Sequence, residues 1–411
     1  MSPTILFYLL IGILILHFAF DQLLGALNAK HFEDKLPPKL QDIYDEKAYS
    51  SSQAYKKTRY KFGVLTASFS LLITLAFFFL DGFAFIDNFA RNFSDHPTIV
   101  ALIFFGVMLL TNDILTTPFT YYSTFTIEER YGFNKTSKKT FVLDKLKAWL
   151  LAAIFGGGML ALVIKLYQIT EDHFWIYAWI SIGIFSIFLN MFYSKLIVPL
   201  FNKQTPLEPG TLRDKIESYA KQVGFVLTKI FIIDGSKRST KANAYFSGLG
   251  KEKRITLYDT LVHDLNEEEI VAVLAHEVGH YKKKHILFNL LISLITTGLT
   301  LWLFSLFIGN PLLSEALGVR QPSFHVGLIA FGILYTPISV VTGLLMNMLS
   351  RKFEYQADEY AQQTYGAQPL ISALKKLSSN SFSNLTPHPY YVFMYYSHPS
   401  LLQRINNLEK S

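Results

Sequence analysis

Cysteine is absent from all 411 residues of this chain. Disulfides, thiolate metal sites and a cysteine nucleophile are therefore excluded, and any metal must be held by imidazole and carboxylate groups. Charge is scarce as well: 17% of the residues are Asp, Glu, Lys or Arg, against 51% hydrophobic. That balance solvates a globule poorly and places the chain in the membrane class. The net charge of +7 is no sign of nucleic-acid binding, because the basic residues cluster between apolar runs, where membrane topology accounts for them. Sequence repeats and low-complexity segments are also missing.

What the chain does have is a series of long apolar runs. Those able to cross roughly 30 Å of hydrocarbon lie near 3–20, 62–85, 98–115, 148–166, 174–197, 286–308 and 324–349. The first has neither the basic flank nor the small-residue cleavage site of a signal peptide, so it reads as a span and the total is seven. Segments 30–61, 130–147 and 203–284 are rich in lysine, and the tail opens with Arg351 and Lys352. By contrast, 81–97 holds only Arg91, 309–323 only Arg320, and 167–173 no basic residue. With the N-terminus outside, seven spans put every basic segment in the cytoplasm, so the count agrees with the charge bias.

The expected organisation is 1–200 for the first five spans and their cytoplasmic loops, 201–284 for one part of a cytoplasmic domain, 285–349 for the last two spans, and 350–411 for the rest of that domain. Neither soluble piece is long enough for a comfortable core alone, so the two are expected to fold together. A helix-like stretch at 211–224 precedes strand-like runs at 229–233 and 254–258. Asn266 followed by Glu269 resembles a capping box opening a helix over 267–283.

That helix carries His276-Glu277-Val278-Gly279-His280. Helical residues four apart share a face, so the two imidazoles can converge on one ion with Glu277 beside it, a geometry suited to Zn²⁺. A catalytic zinc needs a third protein ligand and an open position. Glu354 and Asp358, four apart just beyond the last span, supply a carboxylate ligand and a partner to orient a ligating histidine. Alone this pair would read as a solvated helix face; the His-Glu-x-x-His motif changes that reading.

Taken together, these residues resemble the integral-membrane, zinc-dependent CAAX prenyl proteases. The likeness extends to Pro118-Phe119, to Thr126-Ile127-Glu128-Glu129-Arg130-Tyr131-Gly132-Phe133-Asn134-Lys135, to Asn243-Ala244-Tyr245-Phe246, and to His398-Pro399 with Arg404. It implies a mainly α-helical fold, seven membrane helices forming a water-filled chamber, capped by a small α/β thermolysin-like peptidase domain. It also implies one zinc ion on His276, His280 and Glu354, and removal of the C-terminal tripeptide from prenylated proteins by a water activated at the metal, with Glu277 as general base. By the same resemblance His398 stabilises the oxyanion, Arg404 contacts the substrate backbone, and Asn243, Ala244 and Tyr245 belong to a substrate-binding edge strand. Read without it, His398 fits a helix N-terminal turn, Arg404 a surface cation and Asn243 a turn former.

The expected partners are a peptide or protein substrate, prenylated or not, and membrane lipid. The membrane is a bacterial inner membrane or that of the endoplasmic reticulum. Two other functions are compatible with the composition: a membrane-protein quality-control protease, and a non-catalytic scaffold or transporter using polar intramembrane residues such as Asn112 and Asp113. Asp113 either lines the chamber or sits at interface depth. The Gly156-Gly157-Gly158 cluster reads as a helix-packing device.

Overall fold

Helices α1 (Pro3–Ala29), α2 (Glu46–Phe79), α3 (Gly82–Arg91), α4 (Pro97–Tyr122), α5 (Lys138–Leu151), α6 (Gly158–Thr170) and α7 (Phe174–Leu196) occupy the first half of the chain in the computed structural model. The structure describes residues 1–227, 229–247 and 254–410. After the short α8 (Val198–Phe201) come β1 (Gln204–Pro206), α9 (Thr211–Gln222), β2 (Lys229–Ile233), β3 (Ala244–Ser247), β4 (Arg254–Tyr258), α10 (Asp259–Asp264) and α11 (Glu267–Lys282). The remainder is α12 (His285–Ser305), α13 (Pro311–Glu315), α14 (Phe324–Thr364), α15 (Ala367–Asn380), α16 (Pro389–Tyr395) and α17 (Leu401–Leu408).

Among the described residues, six helical stretches are long and apolar enough to cross a membrane. One of them, Lys138–Phe201, has 64 residues, about three times what one crossing requires. It turns back at Glu171–His173, where Glu171 adopts a φ of 43°, and its limbs α6 and α7 pack on one another. The seven expected spans therefore arise from six apolar stretches, one of them doubled. Several helices outrun their apolar cores. The α2 helix starts at Glu46, where the Asp45 carboxylate accepts the Ala48 N–H at 2.6 Å, and α14 continues to Thr364. At 1.5 Å per residue α14 is about 60 Å long, so its last turns project beyond the hydrocarbon.

Packing of α1, α2, α4 and α14 is confined to their ends. At one end Leu6, Leu10, Phe78, Phe83, Val100, Phe104 and Val326 form a buried cluster, and Ile164, Phe174, Phe304 and Phe331 form another. In between, α1 buries no residue over 12–23, α2 none over 57–77, α4 none over 105–122 and α14 none over 332–352. A solid bundle would bury one stripe of each helix along its whole length. These helices touch at their rims and enclose a hollow. A cavity of about 1110 Å³ opens inside, lined by Ser186, Asn190 and Tyr193 of α7 and by Asn289 and Ser293 of α12.

Asp113 takes a definite structural role. Both carboxylate oxygens of Asp113 accept from Lys145 Nζ at 2.8 Å, and one accepts from Trp149 Nε1 at 3.0 Å, tying α4 to α5. The glycine cluster is not the packing device expected. It lies at a π-helical turn, Ala152–Gly157, and a Cβ on Gly156 or Gly158 would meet nothing within 4 Å, while one on Gly157 would touch Leu102 at an ordinary 3.8 Å.

The opposite end carries a four-stranded sheet in the order β1-β2-β4-β3. Strand β2 runs parallel to β4, and β1 and β3 are antiparallel to their neighbours, which leaves β3 on an edge. One core joins this sheet to α9, α11, α15 and α17 through Ile216, Leu257, Ile270, Leu274, Ala361, Leu370 and Ile405. Residues from 201–284 and from 350–411 thus contribute to one core. That core also takes in residues from the loop after α1: Leu40 is fully buried in it, Tyr44 donates to the Ser378 carbonyl at 3.1 Å, and Lys375 pairs with Asp42 at 2.8 Å.

Candidate active site

The metal-site helix α11 starts at a complete capping box, as read from the sequence: Asn266 Oδ1 accepts the Glu269 N–H and Glu269 accepts the Asn266 N–H, each at 2.9 Å. A cap of this kind contributes about 1 kcal/mol. Here it does more, because the buried Glu269 carboxylate also accepts from Ser372 at 2.6 Å and Lys376 at 2.8 Å, locking α11 to α15.

Helix α14 crosses α11 at Gly279. A Cβ there would lie 3.1 Å from both the Cα and the carbonyl oxygen of Ala357 and 3.2 Å from Tyr360 Cβ. Only a residue without a side chain lets the backbones approach so closely, and this approach brings Glu354 and Asp358 over the histidines. Gly279→Val is expected to push α14 away at a cost of about 1–3 kcal/mol and to weaken metal binding at least tenfold. Chelator competition checks this, and an unchanged affinity would show that the crossing does not set the site.

His276, His280 and Glu354 each offer one ligand atom, all within 4.8 Å of one another. The Nε2 atoms of the two histidines are 3.1 Å apart. His276 Nε2 is 3.5 Å from Glu354 Oε2, and His280 Nε2 is 3.3 Å from Glu354 Oε1. Glu354 Oε2 is buried and accepts no hydrogen bond, a costly arrangement for a carboxylate unless a cation sits against it. The donor set fits a metal ion.

The surroundings keep these carboxylates ionised. Burial works to raise Glu354, but the hydrogen bond from His280 and the fields of His276 and Arg404 outweigh it and hold the group at about 2. Burial likewise opposes ionisation of Asp358, and Arg404 and His276 overcome it, again to about 2. Arg404 binds Asp358 through two nitrogens, Nε to Oδ2 at 2.9 Å and Nη2 to Oδ1 at 2.5 Å. His280 is raised despite its burial, because Glu354 and Glu277 favour its charged form.

The Nδ1 of His276 lies 2.9 Å from Asp358 Oδ1 and 3.3 Å from Arg404 Nη2. A guanidinium only donates and a carboxylate only accepts. A ring that offers Nε2 to a metal carries its proton on Nδ1, which selects Asp358 as the partner. Asp358 is thus within hydrogen-bond reach of His276 Nδ1.

Glu277 is half-buried on the same turn, and no described residue pairs with its carboxylate. His398 is well exposed, with Nε2 3.3 Å from Glu354 Oε1. Arg404 is more deeply committed than a surface cation, although its Nη1 remains 3.6 Å from Glu354 Oε2. Asn243 stands immediately before β3; its carbonyl accepts the Tyr258 N–H at 3.0 Å and its side chain accepts the Ala244 N–H at 2.9 Å. Strand alternation then turns the main chain of Ala244 to the open edge. Asn243 and Tyr245 line the same cavity as α7 and α12.

The conspicuous 126–135 segment contributes by placement. Lys135 N–H donates to the Arg238 carbonyl at 3.0 Å and Thr240 N–H to the Phe133 carbonyl at 3.1 Å. Glu128 accepts from Tyr55 at 2.8 Å and from Lys241 at 3.1 Å. The segment thereby ties α2 and α4 to the connection that leads into β3. One residue near the metal site escaped sequence reasoning. His285 stacks on Phe353, ring centroids 4.1 Å apart, and places its Nδ1 3.0 Å from His280 Nδ1.

A hollow bundle of membrane helices with a His-Glu-x-x-His helix and a carboxylate ligand group at one end defines an integral, multi-pass membrane metallopeptidase. Comparison with known proteins gives its kinship. Residues 26–203 match the CAAX prenyl protease N-terminal family, described as five membrane helices, and residues 206–411 match peptidase family M48. The chain is 34% identical to CAAX prenyl protease 1 of Saccharomyces cerevisiae, over 99% of this chain and 96% of the relative. It is 35% identical to the CAAX prenyl protease 1 homolog of Dictyostelium discoideum, over 92% and 90%, and 31% identical to the human homolog, over 91% and 88%. The crystal structure of S. mikatae Ste24p superposes with a TM-score of 0.94 at 34% identity, covering 98% of this chain and 99% of that one. This chain belongs to the CAAX prenyl protease branch of the M48 metallopeptidases, and it is an endopeptidase of that family.

Proposed function

We propose that the chain binds one zinc ion on His276, His280 and Glu354 and removes from prenylated proteins the C-terminal tripeptide that follows the prenylated cysteine. The observation that carries this reading is the cluster of His276, His280 and Glu354, with a buried Glu354 oxygen that accepts no hydrogen bond. Donors around a zinc ion would stand about 3.3 Å apart; the two Nε2 atoms are 3.1 Å apart and approach different oxygens of Glu354 at 3.5 and 3.3 Å, near enough for all three groups to reach one ion. Nitrogen and carboxylate donors suit zinc, and the set leaves a coordination position open.

An ion held by these three residues would lower the pKa of a water and polarise the scissile carbonyl. The remaining steps fall to the chain's own groups. Glu277 takes the proton of the attacking water and returns it to the leaving nitrogen. His398, exposed at the rim yet within reach of Glu354, donates to the oxyanion. Arg404 holds Asp358 and offers Nη1 to the substrate main chain. Asn243, Ala244 and Tyr245 present an edge on which an extended peptide adds as a strand, which gives affinity with little sequence preference. The prenyl chain then lies in the hollow between the helices, reached through the cavity that Asn243 and Tyr245 share with α7 and α12.

The basic segments support an orientation with the peptidase domain in the cytoplasm and the N-terminus outside: Asp42 and Asp144 in those loops are bound by Lys375 and Arg238 of the peptidase domain, so the loops share its side. The test of substrate class is turnover of a farnesylated CAAX peptide and its unprenylated twin by detergent-purified protein. Faster cleavage of the farnesylated peptide is the expected result. Equal rates would remove the prenyl requirement and favour a quality-control protease.

A further inference from the structure

We propose that His285 and Gln356 form a hydrogen-bond relay that fixes the tautomer of the ligand His280 and thereby sets the metal affinity of the site. This inference rests on the metal-site reading above and extends it to two residues that reading does not use.

The two ligating histidines reach the metal position with Nε2, and each needs its proton on Nδ1. For His276 the acceptor is the Asp358 carboxylate. Among the described residues, no carboxylate stands behind His280. Its Nδ1 faces another ring, His285 Nδ1 at 3.0 Å, and His285 Nε2 in turn faces Gln356 Oε1 at 2.9 Å. Protons can be arranged along this chain in two ways. If the Gln356 oxygen accepts from His285 Nε2–H, the His285 Nδ1 lone pair accepts from His280 Nδ1–H, and His280 Nε2 is free to bind metal. If the amide is turned so that its NH₂ donates to His285 Nε2, every polarity along the chain reverses, the proton of His280 moves to Nε2, and the ligand is blocked. Metal binding therefore requires the first arrangement, and Gln356 is the residue that terminates it.

The relay is held rigidly. His285 is buried, clamped face to face on Phe353 at an interplanar angle of 9°. Lys284 adopts a φ of 59°, which breaks α11 from α12 and sets His285 at the first turn of the next helix, beside His280. Phe353 and Gln356 are three apart on α14, so a single helix supplies the ligand Glu354, the clamp, the terminal acceptor and Asp358. His285 and Gln356 are positioning residues: they act on the metal through His280.

The partners behind metal-bound histidines typically contribute 10–100-fold to affinity. Zinc affinity is measured by chelator competition on the full-length protein in detergent, for wild type, Gln356→Leu and Gln356→Glu. The visible absorption of the cobalt(II)-loaded forms and the thermal midpoints of the metal-free forms are recorded alongside. Gln356→Leu removes the acceptor at similar size and is expected to weaken zinc about tenfold or more and to alter the cobalt bands, with the metal-free midpoint lowered only slightly by the unpaired His285 Nε2–H. Gln356→Glu supplies an acceptor that cannot turn, and is expected to bind zinc at least as tightly as wild type. Equal affinity of Gln356→Leu and wild type, or equal loss in the leucine and glutamate variants, overturns the relay while the metal site stands. A wild-type chain that takes up no zinc overturns the metal-site reading and the relay together.

Discussion

Glu277→Ala is expected to abolish peptide cleavage while leaving the metal in place. The carboxylate of Glu277 is half-buried and free of ion pairs among the described residues, and it belongs to neither the ligand triangle nor the Arg404–Asp358 pair. Its removal therefore spares what holds the ion and deletes the group that moves the proton. General-base contributions run to about 10²–10⁴-fold, so residual turnover should fall to the lower limit of a fluorogenic assay. Metal content, measured on the same preparation, should match wild type. Near-normal turnover would rule out Glu277 as the base, and loss of metal would show that it supports the site instead.

A second large effect is expected at Arg404. Its guanidinium compensates two buried carboxylates, Asp358 at 2.5 Å and Glu354 at 3.6 Å. Arg404→Leu leaves both charges without their cation, a loss that costs about 3–5 kcal/mol when one partner of a buried pair is deleted. In the metal-free protein the thermal midpoint should drop clearly. Saturating zinc should restore part of the difference, because the ion replaces some of the missing positive charge. A midpoint equal to wild type would mean that Arg404 serves only the substrate, as the family resemblance alone suggested.

Much of the site was legible because its information is local. The capping box, the spacing of His276 and His280, and the spacing of Glu354 and Asp358 are all helical periodicities of three or four residues, and α11 and α14 realise them. Strands β2 and β4 were legible for a similar reason, as short β-branched runs. The apolar runs gave the spans but not their true ends, since α2 and α14 continue as helix through polar sequence that no hydropathy window includes. Other parts depend on contacts far apart in the chain. Leu40 enters the peptidase core from the first loop, and the partnership of His285 with Gln356 spans 71 positions. The meaning of Gly279 appears only once Ala357 is known to lie across it.

The hollow between the rims also bears on how this sequence can drift. In most proteins an interior methyl group is held by neighbours, and shortening a side chain forfeits their contacts and leaves a void. Residues 57–77 of α2 and 332–352 of α14 have no such buried neighbourhood, so their volumes are only loosely tied to the integrity of the fold. The terminal clusters around Phe104 and Phe174 bear that constraint instead. Substitutions can therefore widen, narrow or re-line the interior one residue at a time while the rims and the peptidase core stay intact, and the lining is open to selection for what it admits.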